Sequence, residues 1–156
     1  KKPFIEKDDL LSILIVDDKD NHEYFSHKYK ISNELRNKIN LFAQNYIKIK
    51  ENKNFFLKDI RKNIFNFGKH HIKVLSLLNF IDNKKVKLAD FLKISKTIDN
   101  TNPPDFPVDG KYLKDRGIKE GIIMGKVLRL LKEEWLKNDF KLKEEQILKI
   151  IKDFSN

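Results

Sequence analysis

The chain contains no cysteine, which excludes disulfide bonds, thiolate catalysis and cysteine-ligated zinc sites, and which fits a reducing, cytoplasmic compartment. It also lacks any uninterrupted apolar stretch near the ~20 residues that a membrane-spanning helix needs. The longest candidate, Leu10 to Val16, is interrupted by Ser12 and flanked by aspartates. We therefore exclude a disulfide-stapled secreted domain and expect no contact with a membrane.

Several enzyme motifs are missing as well. The sequence has no phosphate-binding loop, no dinucleotide-binding fingerprint and no Gly-x-Ser-x-Gly nucleophile motif. It has neither a signal peptide nor an initiator methionine and begins at Lys1, so we expect a fragment of a longer protein. Its 156 residues are enough to bury a real hydrophobic core.

Glycine is nearly absent before residue 110, and apolar residues recur at intervals of three and four rather than two. The sequence therefore predicts an all-α fold, an irregular bundle of about eight helices that ends in a glycine-rich helical hairpin. The predicted helices cover about residues 8–16, 20–29, 33–50, 55–67, 70–81 and 86–98, then a short helix after 110, a long helix to 137 and a last helix over 143–154.

Apolar stripes identify the faces that we expect to be buried. The third predicted helix, which Ser32 or Asn33 would cap, carries Leu35, Ile39, Phe42, Tyr46 and Ile49 on one face. The long C-terminal helix has its own stripe, for which we expect Ile123, Val127, Leu130, Leu131 and Trp135 to point inward.

Proline marks a division of the chain. Three of the four prolines lie between residues 103 and 107, which predicts an extended, fairly stiff connector. We expect a helical body over residues 1–98, a connector over 99–109 and a helical tail over 110–156.

The net charge of +10 is unevenly distributed. Residues 1–27 hold four lysines and seven acids, a net of −3, whereas residues 28–98 hold seventeen basic residues and five acids, a net of +12. The remaining residues hold twelve basic residues and eleven acids. A basic segment of this kind indicates a nucleic-acid partner, although lysine-rich helix faces that are merely solvated would give the same composition.

The most specific local pattern lies between Asp109 and Leu128. Gly117 is expected to close a short helix in a left-handed conformation, and Gly121 and Gly125 stand four apart, so they share one helix face. Two glycines on one face indicate close approach either by a neighbouring helix or by a phosphate. The turn is surrounded by basic residues: Lys111, Lys114, Arg116, Lys119 and Lys126.

Two other patterns could indicate a metal site. Asp18 and Asp20 have the spacing with which nucleotidyl transferases hold two metal ions, but they follow a predicted helix and lack a phosphate loop, so a helix end and the next N-cap is the better interpretation. His70 and His71 have no acidic or histidine partner at ligand spacing, and we expect them to begin the fifth helix and not to bind metal.

Residues 103–140 resemble the C-terminal end of bacterial tRNA nucleotidyltransferases, the family of CCA-adding enzymes and poly(A) polymerases. The residues that carry the resemblance are Pro107, Gly110, Leu113, Gly117, Ile118, Gly121, Gly125, Leu128, Leu131, Trp135 and Phe140. The segments 31–41 and 60–68 look, less specifically, like helices of the same family, so the resemblance extends over about residues 8–142. The family often has Pro-Gly-Pro where this chain has Glu120-Gly121-Ile122.

The resemblance implies the noncatalytic, tRNA-binding C-terminal part of such an enzyme. It would anchor the tRNA elbow while an N-terminal head, absent from this sequence, binds magnesium with ATP or CTP and adds or repairs the 3′ CCA end. No cofactor and no catalytic residue is expected in these residues. The alternatives are the C-terminal RNA-binding region of a poly(A) polymerase and a noncatalytic helical protein-interaction module.

An RNA backbone is held by lysine and arginine side chains on a rigid surface, which selects the candidate contacts. The first candidates are Lys111, Lys114, Arg116, Lys119, Gly121, Gly125, Lys126 and Arg129. Further candidates on the basic body are Arg36, Arg61, Lys62, Lys69 and Lys73.

Overall fold

The computed structural model describes residues 5–17 and 19–154. Within these residues the chain forms eight α-helices and no strand, which confirms the predicted all-α class. The helices are α1 (Lys7–Ile15), α2 (Asn21–Tyr29), α3 (Asn33–Glu51), α4 (Ile60–Asp82), α5 (Leu88–Asn100), α6 (Gly110–Lys114), α7 (Ile122–Lys137) and α8 (Glu144–Lys152). None of the helices in the described ranges is both long enough and apolar enough to cross a bilayer.

The chain divides into two compact units, Lys1–Asn102 and Pro103–Asn156. The first unit has its own hydrophobic core, to which α3 and α4 contribute most of the buried side chains. The second has a smaller core built from α6, α7, α8 and the segment that precedes α6. The division lies inside the segment 99–109, and α5 continues to Asn100, two residues past the predicted end of the body.

Helix α3 shows how local sequence determines an element. It starts at the predicted cap, where the hydroxyl oxygen of Ser32 accepts a hydrogen bond of 3.2 Å from the backbone N–H of Leu35. The expected stripe is buried, since Ile39, Phe42 and Tyr46 are almost inaccessible to solvent. Spacings of three and four residues place these side chains on one face, which packs against α4.

Helix α4 contains the break predicted between the helices over 55–67 and 70–81. Two helical stretches meet at a kink at Gly68, whose φ of +81° and ψ of 154° are not helical. Glycine tolerates this conformation because it has no Cβ. The predicted start at Phe55 is wrong: residues 53–59 form turns, and Phe55 and Phe56 are buried from the loop rather than from a helix.

The core of the second unit corrects one predicted residue. Met124, Val127, Leu131 and Trp135 form the buried face of α7, whereas Ile123 is 48% exposed. The inward stripe therefore begins at Met124. Aromatic rings close the far end of this core, because the ring of Trp135 contacts those of Phe106 (centroids 5.3 Å apart) and Phe140 (4.8 Å).

Candidate nucleic-acid interface

The side of α7 opposite its buried face carries several of the predicted contact residues. Ile122, Lys126 and Arg129 stand four and three residues apart, so they project from the same face, and Gly125 lies on its edge. All four residues are exposed. We call the exposed residues Lys111, Lys119, Gly121, Gly125, Lys126 and Arg129 the tail surface.

The turn that leads into α7 has the geometry predicted for Gly117. The residue has a φ of +85°, the backbone N–H of Ile118 donates to the carbonyl of Leu113 (3.1 Å), and that of Gly117 donates to the carbonyl of Lys114 (3.0 Å). This is the Schellman pattern, accompanied by the usual apolar contact, because Leu113 and Ile118 are buried in one core. These bonds and this apolar contact fix the path of the backbone between α6 and α7.

Gly121 and Gly125 do not serve to let a neighbouring helix approach. Among the described atoms, nothing lies within 4 Å of the position that a Cβ would occupy at either residue. Gly121 is the N-cap of α7 with a φ of +122°, but Gly125 is an ordinary helical residue on an open surface. The sequence left two explanations for the glycine pair, close approach by a neighbouring helix and close approach by a phosphate. Among the described residues, no helix of this unit comes close to either glycine, which excludes the first explanation for these residues.

The basic candidates of the tail fall into two groups. Lys114 pairs with Glu120 (2.8 Å), Arg129 lies 3.8 Å from Glu133, and the Nη2 of Arg116 lies 3.6 Å from Glu144. The guanidinium of Arg116 also covers the ring of Tyr112 at 3.6 Å. By contrast, three exposed lysines have no ion pair within the described ranges: Lys111, Lys119 and Lys126.

The candidates on the body hold the fold together more than they face solvent. Lys73 forms a salt bridge of 2.7 Å with Asp99, and Lys69 donates to the backbone carbonyl of Asp99, so both fasten α4 to the end of α5. The Nε of Arg36 is buried and has no hydrogen-bond partner in the described part of the chain. Arg61 is exposed and Lys62 half-buried in the first turn of α4.

A basic groove in the first unit was missed by the sequence analysis. Its volume is about 910 Å³, and it forms where α3 and α5 both pack against α4. Five lysines line it: Lys50, Lys53, Lys84, Lys85 and Lys93. The available signal was the clustering of lysines at the ends of α3 and α4, together with the spacing of Asp90, Lys93, Ile94 and Thr97 along one face of α5.

The floor of this groove is fixed by one carboxylate. The hydroxyl of Tyr46 donates to Asp82, and the Nζ of Lys50 lies 3.6 Å from the same carboxylate. The ammonium of Lys50 also lies 4.5 Å from the centre of the Tyr46 ring. Burial, reinforced by the hydrogen bond to Asp82, raises the pKa of Tyr46. The tyrosine is therefore a neutral anchor between α3 and α4.

A polar cluster joins α1 to α3 and α4 and corrects the expectation that the histidine pair lacks an acidic partner. The buried carboxylate of Asp9 accepts from His70 Nε2 (2.7 Å) and from the backbone N–H of Glu6 (2.9 Å), and it pairs with Lys38 (3.1 Å). Burial alone would raise the pKa of Asp9, but these hydrogen bonds and His70 leave it below its usual value.

The ligand atoms of Glu6, Asp9 and His70 lie within 4.8 Å of one another, a spacing that a metal ion could bridge. However, the Lys38 ammonium already supplies the positive charge that Asp9 needs, and the cluster surrounds the first turn of α1, whose dipole disfavours a cation. We interpret the cluster as structural.

His71 points away from this cluster into the core. Its Nε2 lies 3.1 Å from the side-chain amide nitrogen of Asn45, and its ring contacts Phe42. Burial lowers the pKa of His71 to about 4, although the negative charge of Asp9 opposes the shift. His71 is therefore a neutral core residue that accepts a hydrogen bond from Asn45.

The Asp-x-Asp pattern gains no support as a metal site. Asp20 is the N-cap residue of α2, and the carboxylate of Asp17 accepts a hydrogen bond from the backbone N–H of Lys19. Asp18 lies outside the described residues.

Comparison with known proteins adds no family: no protein family, curated protein or solved structure matches this chain.

Proposed function

We propose that this chain is an RNA-binding helical region, and that its tail surface contacts the phosphate backbone of the RNA. The observation that carries the proposal is the open face of α7, where the exposed Lys126, which has no ion pair among the described residues, adjoins a helical glycine that no neighbour covers, while the exposed Lys111 and Lys119 lie in α6 and in the turn before α7. Glycine in a helix costs ~1 kcal/mol relative to alanine, so its presence at an uncrowded position favours a role in ligand approach.

The finer proposal is that the chain is the C-terminal part of a tRNA nucleotidyltransferase, which anchors the tRNA elbow while a separate head adds or repairs the 3′ CCA end. It rests on the motif between Pro107 and Phe140. The local structure is compatible with that motif, because Gly117 ends a helix while Leu113, Ile118, Leu131 and Trp135 are buried. In this proposal the chain alone has no nucleotidyl transfer activity.

Filter binding of tRNA across a salt series tests the RNA proposal. We expect the chain to bind tRNA at low salt. The logarithm of the affinity should then fall linearly with the logarithm of the salt concentration, because salt competes with the phosphate contacts. Lys119→Glu combined with Lys126→Glu should weaken binding strongly. The matched control, Lys141→Glu with Lys149→Glu, introduces the same charge change at exposed positions of the second unit and should weaken it less. Absence of binding at low salt, or equal loss in both variants, would contradict the proposal.

A truncated RNA tests the finer proposal. A minihelix made of the acceptor stem and 3′ end lacks the elbow, so an elbow-binding protein should bind it more weakly than whole tRNA at the same salt concentration. Equal affinity for the minihelix and for tRNA would leave RNA binding intact but contradict elbow recognition.

A protein-interaction module is the second candidate function, and one observation favours it. Ile122 is 80% exposed on the same face of α7 as Lys126 and Arg129, beside the exposed Ile123. Adjacent exposed isoleucines are typical of protein contacts rather than of phosphate contacts. Ile122→Ser separates the two functions, because it should abolish capture of a protein partner while leaving the salt dependence of RNA binding unchanged.

A further inference from the structure

The groove between α3, α4 and α5 concentrates positive charge that the protein itself does not neutralise. Of its five lysines, Lys50 is paired with Asp82. The other four have no ion pair in the described part of the chain: Lys53, Lys84, Lys85 and Lys93. The lining also contains Asp82 and Asp90, so its five lysines exceed its acids, and a concave surface with an excess of one sign of charge attracts counter-charged ligands.

The two acids that line the groove, Asp82 and Asp90, are engaged in contacts of their own. Asp82 holds Tyr46 and Lys50, and Asp90 accepts a hydrogen bond from the backbone N–H of Lys87 at the start of α5. Elsewhere, Asp9 pairs with Lys38, and Asp99 pairs with Lys73. The four groove lysines are thus left facing solvent and one another, an arrangement that an anionic ligand would stabilise.

The chemistry of the lining indicates which anion fits. Lysines reach the groove from the loop after α3, from the loop after α4 and from α5, so several negative charges in succession would be contacted at once. The aromatic side chains in the lining are inaccessible, with Tyr46 1% and Phe56 8% exposed. A base therefore has no ring on which to stack, which removes the usual means of holding a single-stranded base or a free nucleotide by its base.

We propose that this groove binds consecutive phosphodiesters of an RNA strand without reading its bases. The inference rests on the proposed function in taking RNA as the ligand, but it assigns a second contact surface that is separate from the tail surface. The side-chain amides of Asn79 and Asn83 in the same lining are suited to donate to phosphate oxygens or ribose hydroxyls, whereas that of Asn52 donates to Asp59 (2.9 Å). Lys50, held by Asp82, is positioned to complete the site.

The test compares two triple variants of the full chain in RNA binding over a salt series. The groove variant carries Lys84→Gln, Lys85→Gln and Lys93→Gln. The control variant carries Lys30→Gln, Lys58→Gln and Lys96→Gln, which remove the same charge from exposed positions of the first unit outside the groove lining. We expect the groove variant alone to lower the slope of log affinity against log salt by about 2 to 3, alike for RNAs of different sequence.

Each other outcome has a defined meaning. The groove proposal is overturned if RNA affinity falls equally in both triple variants, or if it is unchanged in the groove variant. The tail proposal still stands in that case if Lys119→Glu with Lys126→Glu weakens RNA binding. Failure of the unmodified chain to bind RNA overturns both. Calorimetric titration with inorganic tripolyphosphate is the second measurement. The RNA assignment would be overturned if tripolyphosphate bound tightly to the unmodified chain, failed to bind the groove variant and did not compete with RNA. The groove ligand would then be a free polyphosphate.

If the groove variant has an altered melting curve, the double variant Lys53→Gln with Lys84→Gln replaces it. Both side chains are exposed, and neither forms an ion pair within the described ranges. Its slope should fall by about 1 to 2 relative to the unmodified chain. An unchanged slope in this double variant, with a native melting curve, contradicts the proposal.

Discussion

At the residue scale, two adjacent histidines in α4 have different environments because one helical step rotates them by about 100°. His70 faces α1 and donates to the carboxylate of Asp9. His71 faces the core, where Asn45 and Phe42 surround it. The first side chain stabilises the attachment of α1, whereas the second must stay neutral for the core to stay closed.

Acid should therefore destabilise the fold. The pKa of His71 falls from 6.5 in the unfolded chain to about 4 in the folded protein, so the unfolded chain binds the extra proton between these values. The free energy of unfolding should fall as pH is lowered from 6.5 to 4, by up to ~3 kcal/mol. Asp9 acts in the same direction at lower pH, because its folded pKa lies below 3.8 and its contribution is lost as pH falls through that folded value.

Urea unfolding at a series of pH values measures this effect. In His71→Gln the pH dependence between 6.5 and 4 should flatten, whatever the absolute stability of the variant. His27→Gln, at an exposed position of α2, is the control for histidine replacement and should keep the slope of the unmodified protein. A slope that persists in His71→Gln would contradict the assignment of this histidine.

At the element scale, caps and turns decide where the helices begin and end. Ser32 caps α3, Gly68 bends α4, and Gly117 closes the turn before α7. Ser32 acts through a hydrogen bond of its hydroxyl to the nearby backbone and the two glycines act through their own backbone conformation, so each effect is local and separable from packing. Gly125 differs, since its backbone is helical and its surroundings are open.

Alanine substitution should therefore change the free energy of unfolding in opposite directions at Gly117 and at Gly125. Gly117→Ala places a Cβ on a residue with a φ of +85° and should lower the free energy of unfolding by ~1 to 2 kcal/mol. Gly125→Ala should raise it by up to ~1 kcal/mol, because alanine favours a helix and meets no neighbour. Thermal and urea unfolding measure both changes.

Gly125→Ala also reports on function. If the open face receives a phosphate backbone, this variant should bind tRNA more weakly while being at least as stable as the unmodified protein. Undiminished affinity would show that Gly125 has no role in RNA approach, and the proposal would then rest on the lysines alone.

At the scale of the whole molecule, the chain consists of two units with separate cores. Among the described residues, the core of the first unit has fifteen buried apolar residues and that of the second has eight, so the first is better able to fold alone. Proline-containing sequence at the start of the second unit favours an extended link over a continuing helix.

A fragment that ends at Asn102 should accordingly be helical and unfold cooperatively, whereas the fragment from Pro103 onward should be marginal. Circular dichroism with thermal melting tests both. The larger fragment should retain the part of the RNA affinity, and of its salt dependence, that the groove supplies. A non-cooperative melt of the larger fragment would show that the core of the first unit depends on the second.

The helix class, most helix ends and the buried stripe of α3 were predictable from spacing and capping residues, because these depend on neighbours three and four positions away. The break at Gly68 was predictable too, since the predicted helices end at 67 and begin again at 70, but the loop origin of Phe55 and Phe56 was not, because it depends on how the chain re-enters the core. The exposure of Ile123 was likewise undetermined by apolar spacing alone, since Met124 competes for the same buried face one residue later.

The lysines predicted to contact RNA likewise show that the sequence does not determine which side chains are neutralised by ion pairs. Composition located the excess charge in residues 28–98, yet two of the three lysines chosen there, Lys69 and Lys73, are fastened to the end of α5, and the third, Lys62, is half-buried. Four lysines without ion pairs in the described part of the chain instead line a groove whose members come from three helices and the loops between them.

The sequence by itself determined that this protein is helical, lacks cysteine chemistry and carries its basic excess in the middle of the chain. Only the tertiary structure decided which cations are neutralised and which are available to a ligand. The physical reason is that helix periodicity is a short-range property, whereas pairing of charges such as Asp9 with His70 is set by distance in space between residues far apart in the chain.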